Sequence, residues 1–178
     1  MTSNISPAFI DFEASSLNLI ESYPIEVGLC LPDGALHSWL IRPHTRWTDW
    51  SDSAENIHGL TRQQLDQEGV SPQHVARQLN ELLPPQVFCD AWTFDSFWLH
   101  RLFRAAGVRP AFQLESISAL LDSRQVRHWS AMRQQVIAEL GLPVHRAAND
   151  ALILHKTWER IAAAENTARP LASHSGQA

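Results

Sequence analysis

The chain of 178 residues has the length of one domain, and its 44% hydrophobic and 19% charged content is that of a globular protein able to bury a core without disulfides or a structural metal. A net charge of −5 argues against a protein that coats long nucleic acid by bulk electrostatics, and no apolar run approaches the ~20 residues a membrane helix needs. Residues 1–7 do not resemble a signal peptide, and Cys30 and Cys89 lack a C-x-x-C or Cys/His pattern; the expectation is a cytoplasmic protein with two buried free thiols.

Ala8-Phe9-Ile10-Asp11-Phe12-Glu13 reads as a buried first strand. Asp11 and Glu13 stand two residues apart and so project from one face of it. There they repel each other and lose hydration unless something positive lies between them. After a small polar turn at residues 14–17, residues 24–31 read as a second strand, Pro32-Asp33-Gly34 as a hairpin turn and residues 35–42 as a third strand, an antiparallel meander. Trp47 and Trp50 in the following loop are expected to cover the sheet edge. Short helices are expected at 53–58 and 61–68, closed by Gly59 and Gly69, and an amphipathic one at 71–83 before Pro84-Pro85. Residues 86–90 read as a fourth strand and 94–106 as a helix ended by Gly107; 114–118 is a candidate last strand. Helices follow at 117–121, 130–140 and from 147 to about 164, with Trp92, Trp98 and Trp158 assigned to the core or its edge. The pattern is an α/β domain with a mixed central sheet, three of its strands an antiparallel meander, flanked by helices over residues 1–166; 167–178 has the composition of a disordered tail.

Charge is unevenly spread. Residues 1–100 hold thirteen acids and four arginines, a balance of −9, and residues 101–178 hold six acids and ten Lys or Arg, a balance of +4. A half able to hold cations and a half able to hold an anion suit a phosphate-processing site, although solvated surface charge gives the same totals. Asp95 falls in the first turn of the helix after the fourth strand, and Asp150 in the first turn of the last helix, five residues after His145. Singly these are compatible with helix-dipole acids and a solvated histidine. Together with Asp11 and Glu13 they lie at element ends that an α/β sheet gathers at one edge, and four converging carboxylates call for hard divalent cations. Arg124, Arg127, His128 and Arg133 cluster near Trp129, a pattern that suits either a single-stranded tail or a solvated helix face.

The order Asp-x-Glu on a first strand, Phe-Asp at a helix start and His-x-x-x-x-Asp opening a late helix resembles the DEDDh family of 3′–5′ exonucleases, the DnaQ-like or RNase T-like group with a ribonuclease H-like fold. Pro24-Ile25-Glu26-Val27-Gly28 resembles the family's second strand, and Asn56-Ile57-His58-Gly59-Leu60-Thr61 its Ile-His-Gly segment. The resemblance implies that Asp11, Glu13 and Asp150 hold one Mg²⁺ or Mn²⁺, that Asp11 and Asp95 hold a second, and that His145 is the general base toward the attacking water. It also implies a pocket for the 3′-terminal nucleotide formed by Ala14, Ser15, Ser16, Leu17, His58 and Phe94, with single-stranded nucleic acid or short oligonucleotides as partners and a homodimer among the family's arrangements. Ala91 stands where many members have an asparagine, and Asn149 where an aspartate is frequent. The expected activity is hydrolysis of RNA or DNA from the 3′ end to nucleoside 5′-monophosphates; a catalytically silent binding module and a proofreading subunit of a polymerase are the alternatives.

Overall fold

A computed structural model describes residues 6–168. Five strands make one mixed sheet in the order β3-β2-β1-β4-β5: β1 (Ala8–Ala14), β2 (Pro24–Cys30), β3 (Leu36–Leu40), β4 (Gln86–Cys89) and β5 (Gln113–Ser116). The first three form the expected antiparallel meander, and β4 and β5 run parallel to β1. Parallel neighbours need crossovers, here supplied by α1 (Asp52–His58), α2 (Arg62–Glu68) and α3 (Pro72–Leu82) before β4, and by α4 (Trp92–Ala106) before β5. A 3-10 turn (Ile117–Leu120) then leads to α5 (Ser123–Leu140) and α6 (Ala147–Ala168). Thr167 and Ala168, assigned by composition to the tail, close α6; the rest of that segment lies outside the described residues.

The alternation of β1 sorts its residues between two cores. Ala8, Ile10, Phe12 and Ala14 join Ile25, Val27 and Leu29 of β2 in the larger one, against Val75 and Leu79 of α3 and Leu99 and Leu102 of α4. Each fully buried Ile, Val or Leu side chain among them contributes about 1.5–3 kcal/mol through loss of water contact. On the opposite face Phe9 and Cys30 pack with Phe88, Ile117, Ala151 and Leu154 under α6. Farther along that face β1 presents Asp11 opposite Gly28 and Glu13 opposite Glu26, so the apolar floor turns into a carboxylate floor within one strand.

Gly28 sets how α6 crosses this floor. A Cβ built there would lie 2.2 Å from the carbonyl carbon of Ala147 and from the amide nitrogen of Ala148. Only a residue without a side chain lets the first turn of α6 rest on β2 beside Asp11.

Two helix starts move by two residues or more. α5 begins at Ser123, seven residues before the expected start, because Asp122 caps Arg124 and Gln125 while the Gln125 side chain accepts from the Asp122 N–H, a complete capping box. α4 begins at Trp92, and Trp92 itself is 48% exposed instead of buried, its indole N–H donating to the Leu114 carbonyl. Trp98 is buried and Trp158 half-buried as expected, and Trp47 stacks on Tyr23 at 5.2 Å over the sheet. Both cysteines are free and buried.

Candidate active site

β1 and β4 pair only through Ala8–Val87 and Phe9–Phe88. Beyond Phe9 the carboxyl-terminal half of β1 has no neighbour on the β4 side, and the first turn of α4 lies there. The resulting cleft, about 460 Å³, is lined by Asp11, Glu13, Asp95, His145 and Asp150 together with Arg133. The four carboxylates expected to converge and the His145 that the resemblance adds to them therefore line one cleft. They come from three directions: β1 supplies the floor, α4 brings Asp95 and the turn into α6 brings His145 and Asp150.

Burial and mutual repulsion govern the electrostatics. Burial first, and then Asp95, Asp150 and Glu13, hold Asp11 well above the ordinary carboxylate range, against the Arg133 guanidinium. Burial pushes Glu13 up to about 8, helped by Asp150 and Glu26 and opposed by Arg146. Asp95 is 1% exposed and raised to about 7 by burial, with the nearby Cys89 thiol and the backbone of Ala91 and Phe12 acting the other way. Burial also raises Asp150, while the His145 backbone N–H, donating to its Oδ2 at 2.7 Å, and the Arg133 charge act the other way. Asp95 Oδ2 and Asp150 Oδ1 are buried with no hydrogen-bond partner. Glu13, His145 and Asp150 offer ligand atoms that all lie within 4.8 Å of one another. Two buried, unpartnered carboxylate oxygens on groups whose pKa is raised chiefly by burial lack a compensating charge, and hard oxygen donors suit a divalent cation of the Mg²⁺ or Mn²⁺ class.

His145 is exposed at the mouth and is the one non-glycine residue among the described residues with a positive φ, 61°. That backbone is disfavoured for a residue with a Cβ, and two contacts hold it: its own N–H to Asp150, and the anchorage of the next residue. Arg146 Nε and Nη2 donate to the carboxylate of Glu26 at 3.1 and 2.8 Å, and Ala147 N–H donates to the same carboxylate at 3.0 Å. Glu26 is buried. This pair was missed from the sequence, where Glu26 and Arg146 stand 120 positions apart; the available signal was a lone acid inside the otherwise apolar second strand. It also supplies part of the positive charge that the Asp11–Glu13 pair calls for, since Arg146 opposes the rise at Glu13.

The six nucleotide-pocket candidates divide. Leu17, 71% exposed, and Phe94 line the cleft. Ala14 and Ser15 are buried, and the hydroxyls of Ser15 and Ser16 both donate to Asp49 Oδ2, at 2.8 and 2.7 Å, tying the turn after β1 to the tryptophan-bearing loop. His58 lies off the cleft wall, within electrostatic reach of Glu26, Arg146 and His145. Its Nδ1 accepts the Leu60 N–H and its buried Nε2 has no partner. Of the arginine cluster only Arg133 reaches the cleft; Arg124 and Arg127 are exposed on the first turns of α5.

No protein-family model matches the chain, and no curated protein matches it. Among solved structures it is similar to an exonuclease I whose structure was interpreted in terms of processivity, with 17% identity and a TM-score of 0.64 over 91% of this chain and 43% of that one. It is also similar to E. coli exonuclease I in complex with a dA16 oligonucleotide, with 15% identity and a TM-score of 0.63 over 90% of this chain and 42% of that one. The moderately thermophilic exonuclease I of Methylocaldum szegediense matches with 15% identity and a TM-score of 0.54 over 71% of this chain and 30% of that one. At such identities the likeness is one of fold: the five-stranded mixed sheet with flanking helices is a ribonuclease H-like arrangement shared with these structures. The chain spans less than half the length of these structures.

Proposed function

We propose that the chain is a metal-dependent 3′–5′ exonuclease that shortens single-stranded or short nucleic acid, RNA or DNA, by one nucleoside 5′-monophosphate at a time. The observation that carries this reading is the convergence of Asp11, Glu13, Asp95 and Asp150 in one cleft with His145 at its mouth and two buried carboxylate oxygens unpartnered. Asp11, Glu13 and Asp150 would hold one Mg²⁺ or Mn²⁺, and Asp11 with Asp95 the other. Two such ions, when bound, supply charge stabilisation at the attacking and leaving oxygens of an in-line displacement at phosphorus. His145 takes the proton of the attacking water, and its side chain has the exposure needed to pass that proton to solvent. The new bond joins water oxygen to phosphorus, and the P–O3′ bond breaks, leaving a 3′-hydroxyl on the shortened strand. Leu17 and Phe94 form an apolar wall on which the terminal base and sugar rest.

The fold shared with exonuclease I supports the reading, as do the oligonucleotide complexes of that protein with dA16 and dT13, which favour a single strand as the partner. Against a silent binding module stands the presence of all five motif residues in one cleft. The test uses 5′-labelled single-stranded RNA and DNA, and duplexes with 3′ overhangs, incubated with Mg²⁺ or Mn²⁺. A one-nucleotide ladder that shrinks from the 3′ end and vanishes with EDTA is expected. No digestion of any strand by enzyme in excess, with either metal, overturns the reading in favour of the binding module.

A further inference from the structure

Arg133 is set apart from the other arginines by where α5 places it. It is the fixed cation of a cleft otherwise lined by the carboxylates of Asp11, Glu13, Asp90, Asp95 and Asp150, and an anionic strand entering that cleft meets mostly like charge. Its side chain is only 29% exposed, its Nε is buried without a hydrogen-bond partner, and the nearest carboxylate oxygen in an ion pair, Asp90 Oδ2, stands at 3.8 Å. Of the five donors of this guanidinium one, the Nε–H, is thus buried without a partner, which costs free energy unless a ligand takes it up. Arg133 acts on the site from close range: its charge opposes the rise at both Asp11 and Asp150.

We infer that Arg133 is a substrate-contacting residue whose guanidinium donates to non-bridging oxygens of the phosphodiester backbone held over Asp11 and Asp150, with Asp90 as the positioning residue that keeps it at the cleft wall. This rests on the nuclease reading above and adds to it the group that offsets the repulsion between strand and carboxylates. A planar fork of donors matches a phosphate better than an ammonium does, and a donor aimed at charge that develops in the reaction is worth about 10²–10³-fold in rate.

The experiment compares wild type with Arg133→Ala, Arg133→Lys, Asp90→Asn and, as a charge-matched control on the exposed face of α3, Arg77→Ala, using 5′-labelled single strands. Arg133→Ala is expected to lose about 10²-fold in kcat/KM, Arg133→Lys to retain part of it, and Arg77→Ala to match wild type. Millimolar guanidinium ion is expected to restore Arg133→Ala and to leave wild type unchanged. Mn²⁺ affinity without nucleic acid is expected to hold or tighten in Arg133→Ala, since a neighbouring positive charge is gone. Asp90→Asn is expected to raise KM with a smaller effect on kcat. Activity of Arg133→Ala within about twofold of wild type overturns the inference while the nuclease reading stands. So does a loss that guanidinium does not rescue and that comes with a lowered melting temperature and weaker Mn²⁺ binding, the mark of a purely structural arginine. Wild type that digests nothing overturns the nuclease reading and this inference with it.

Discussion

Beside the starts of β1, β4 and β5, a cavity of about 940 Å³ is walled by Pro7, Pro84, Pro85, Pro110, Phe88 and Trp158, with no titratable group among its described lining residues. Beyond the paired part of β1 lies the cleft of about 460 Å³ with its carboxylates, Arg133 and His145. The two lie at opposite ends of the same strands. The larger is an ordinary consequence of strand and loop ends that pack imperfectly, and its apolar walls need no compensation. The smaller gathers like charges that burial alone would neutralise, held in place by Gly28, the Glu26–Arg146 pair and the strained backbone of His145. Size therefore does not mark the site; an arrangement that is unfavourable without a cation does.

Substitutions at the two ends should separate chemistry from stability. The largest effect is expected for Asp11→Asn, which should lower kcat by about 10³-fold or more, read as disappearance of the ladder while the melting temperature rises or holds, because one repelling carboxylate has gone. Next comes Arg146→Ala. Removing the partner of a buried carboxylate costs about 3–5 kcal/mol, and denaturant unfolding should show it together with a loss of activity, since the turn that carries His145 is released. At the other cavity Phe88→Ala should cost about 3 kcal/mol of stability and leave the kcat of the folded protein unchanged. A kcat loss there would erase the distinction between the two ends.

The smallest effect is a pH dependence peculiar to the cleft. Glu13 and Asp95 are raised to about 8 and about 7 from 4.5 and 3.8, so between about pH 4 and 8 the folded state binds more protons than the unfolded one and stability falls as pH rises. In EDTA the melting transition should weaken across that window by on the order of 1–2 kcal/mol, allowing for solvent screening. Mn²⁺ should restore more stability at pH 8 than at pH 5. In Glu13→Gln the EDTA slope should flatten.

Much of this was legible in the sequence because it is local. The period-2 pattern of residues 8–13 fixes which side chains share a face, glycines mark the ends of α1 and α4, and the first-turn acids of α4 and α6 are visible by spacing. What was not legible depends on long-range pairing or on weak periodicity. The bidentate contact between Glu26 and Arg146 joins a mid-sheet acid to a late turn. The first two turns of α5 are rich in Arg, Gln and His, with Val126 and Trp129 their only apolar residues, and the capping box fixes the helix start. Trp92, expected in the core or at its edge, opens α4 just after the Ala91 cap and stands at the surface. His155 is buried edge-on against Phe9 with Nε2 3.1 Å from Glu159. Packing decides such a placement, and spacing does not record it.

The most direct measurement titrates Mn²⁺ into metal-free wild type and Asp150→Asn in the presence of a single strand labelled in its 3′-terminal nucleotide, following metal occupancy and release of mononucleotide in the same samples. Release is expected to rise with occupancy in wild type, and both are expected to be lost or strongly weakened in Asp150→Asn. Mononucleotide release without bound metal, or an Asp150→Asn protein that binds Mn²⁺ and digests the strand as wild type does, would contradict metal-dependent cleavage at this site.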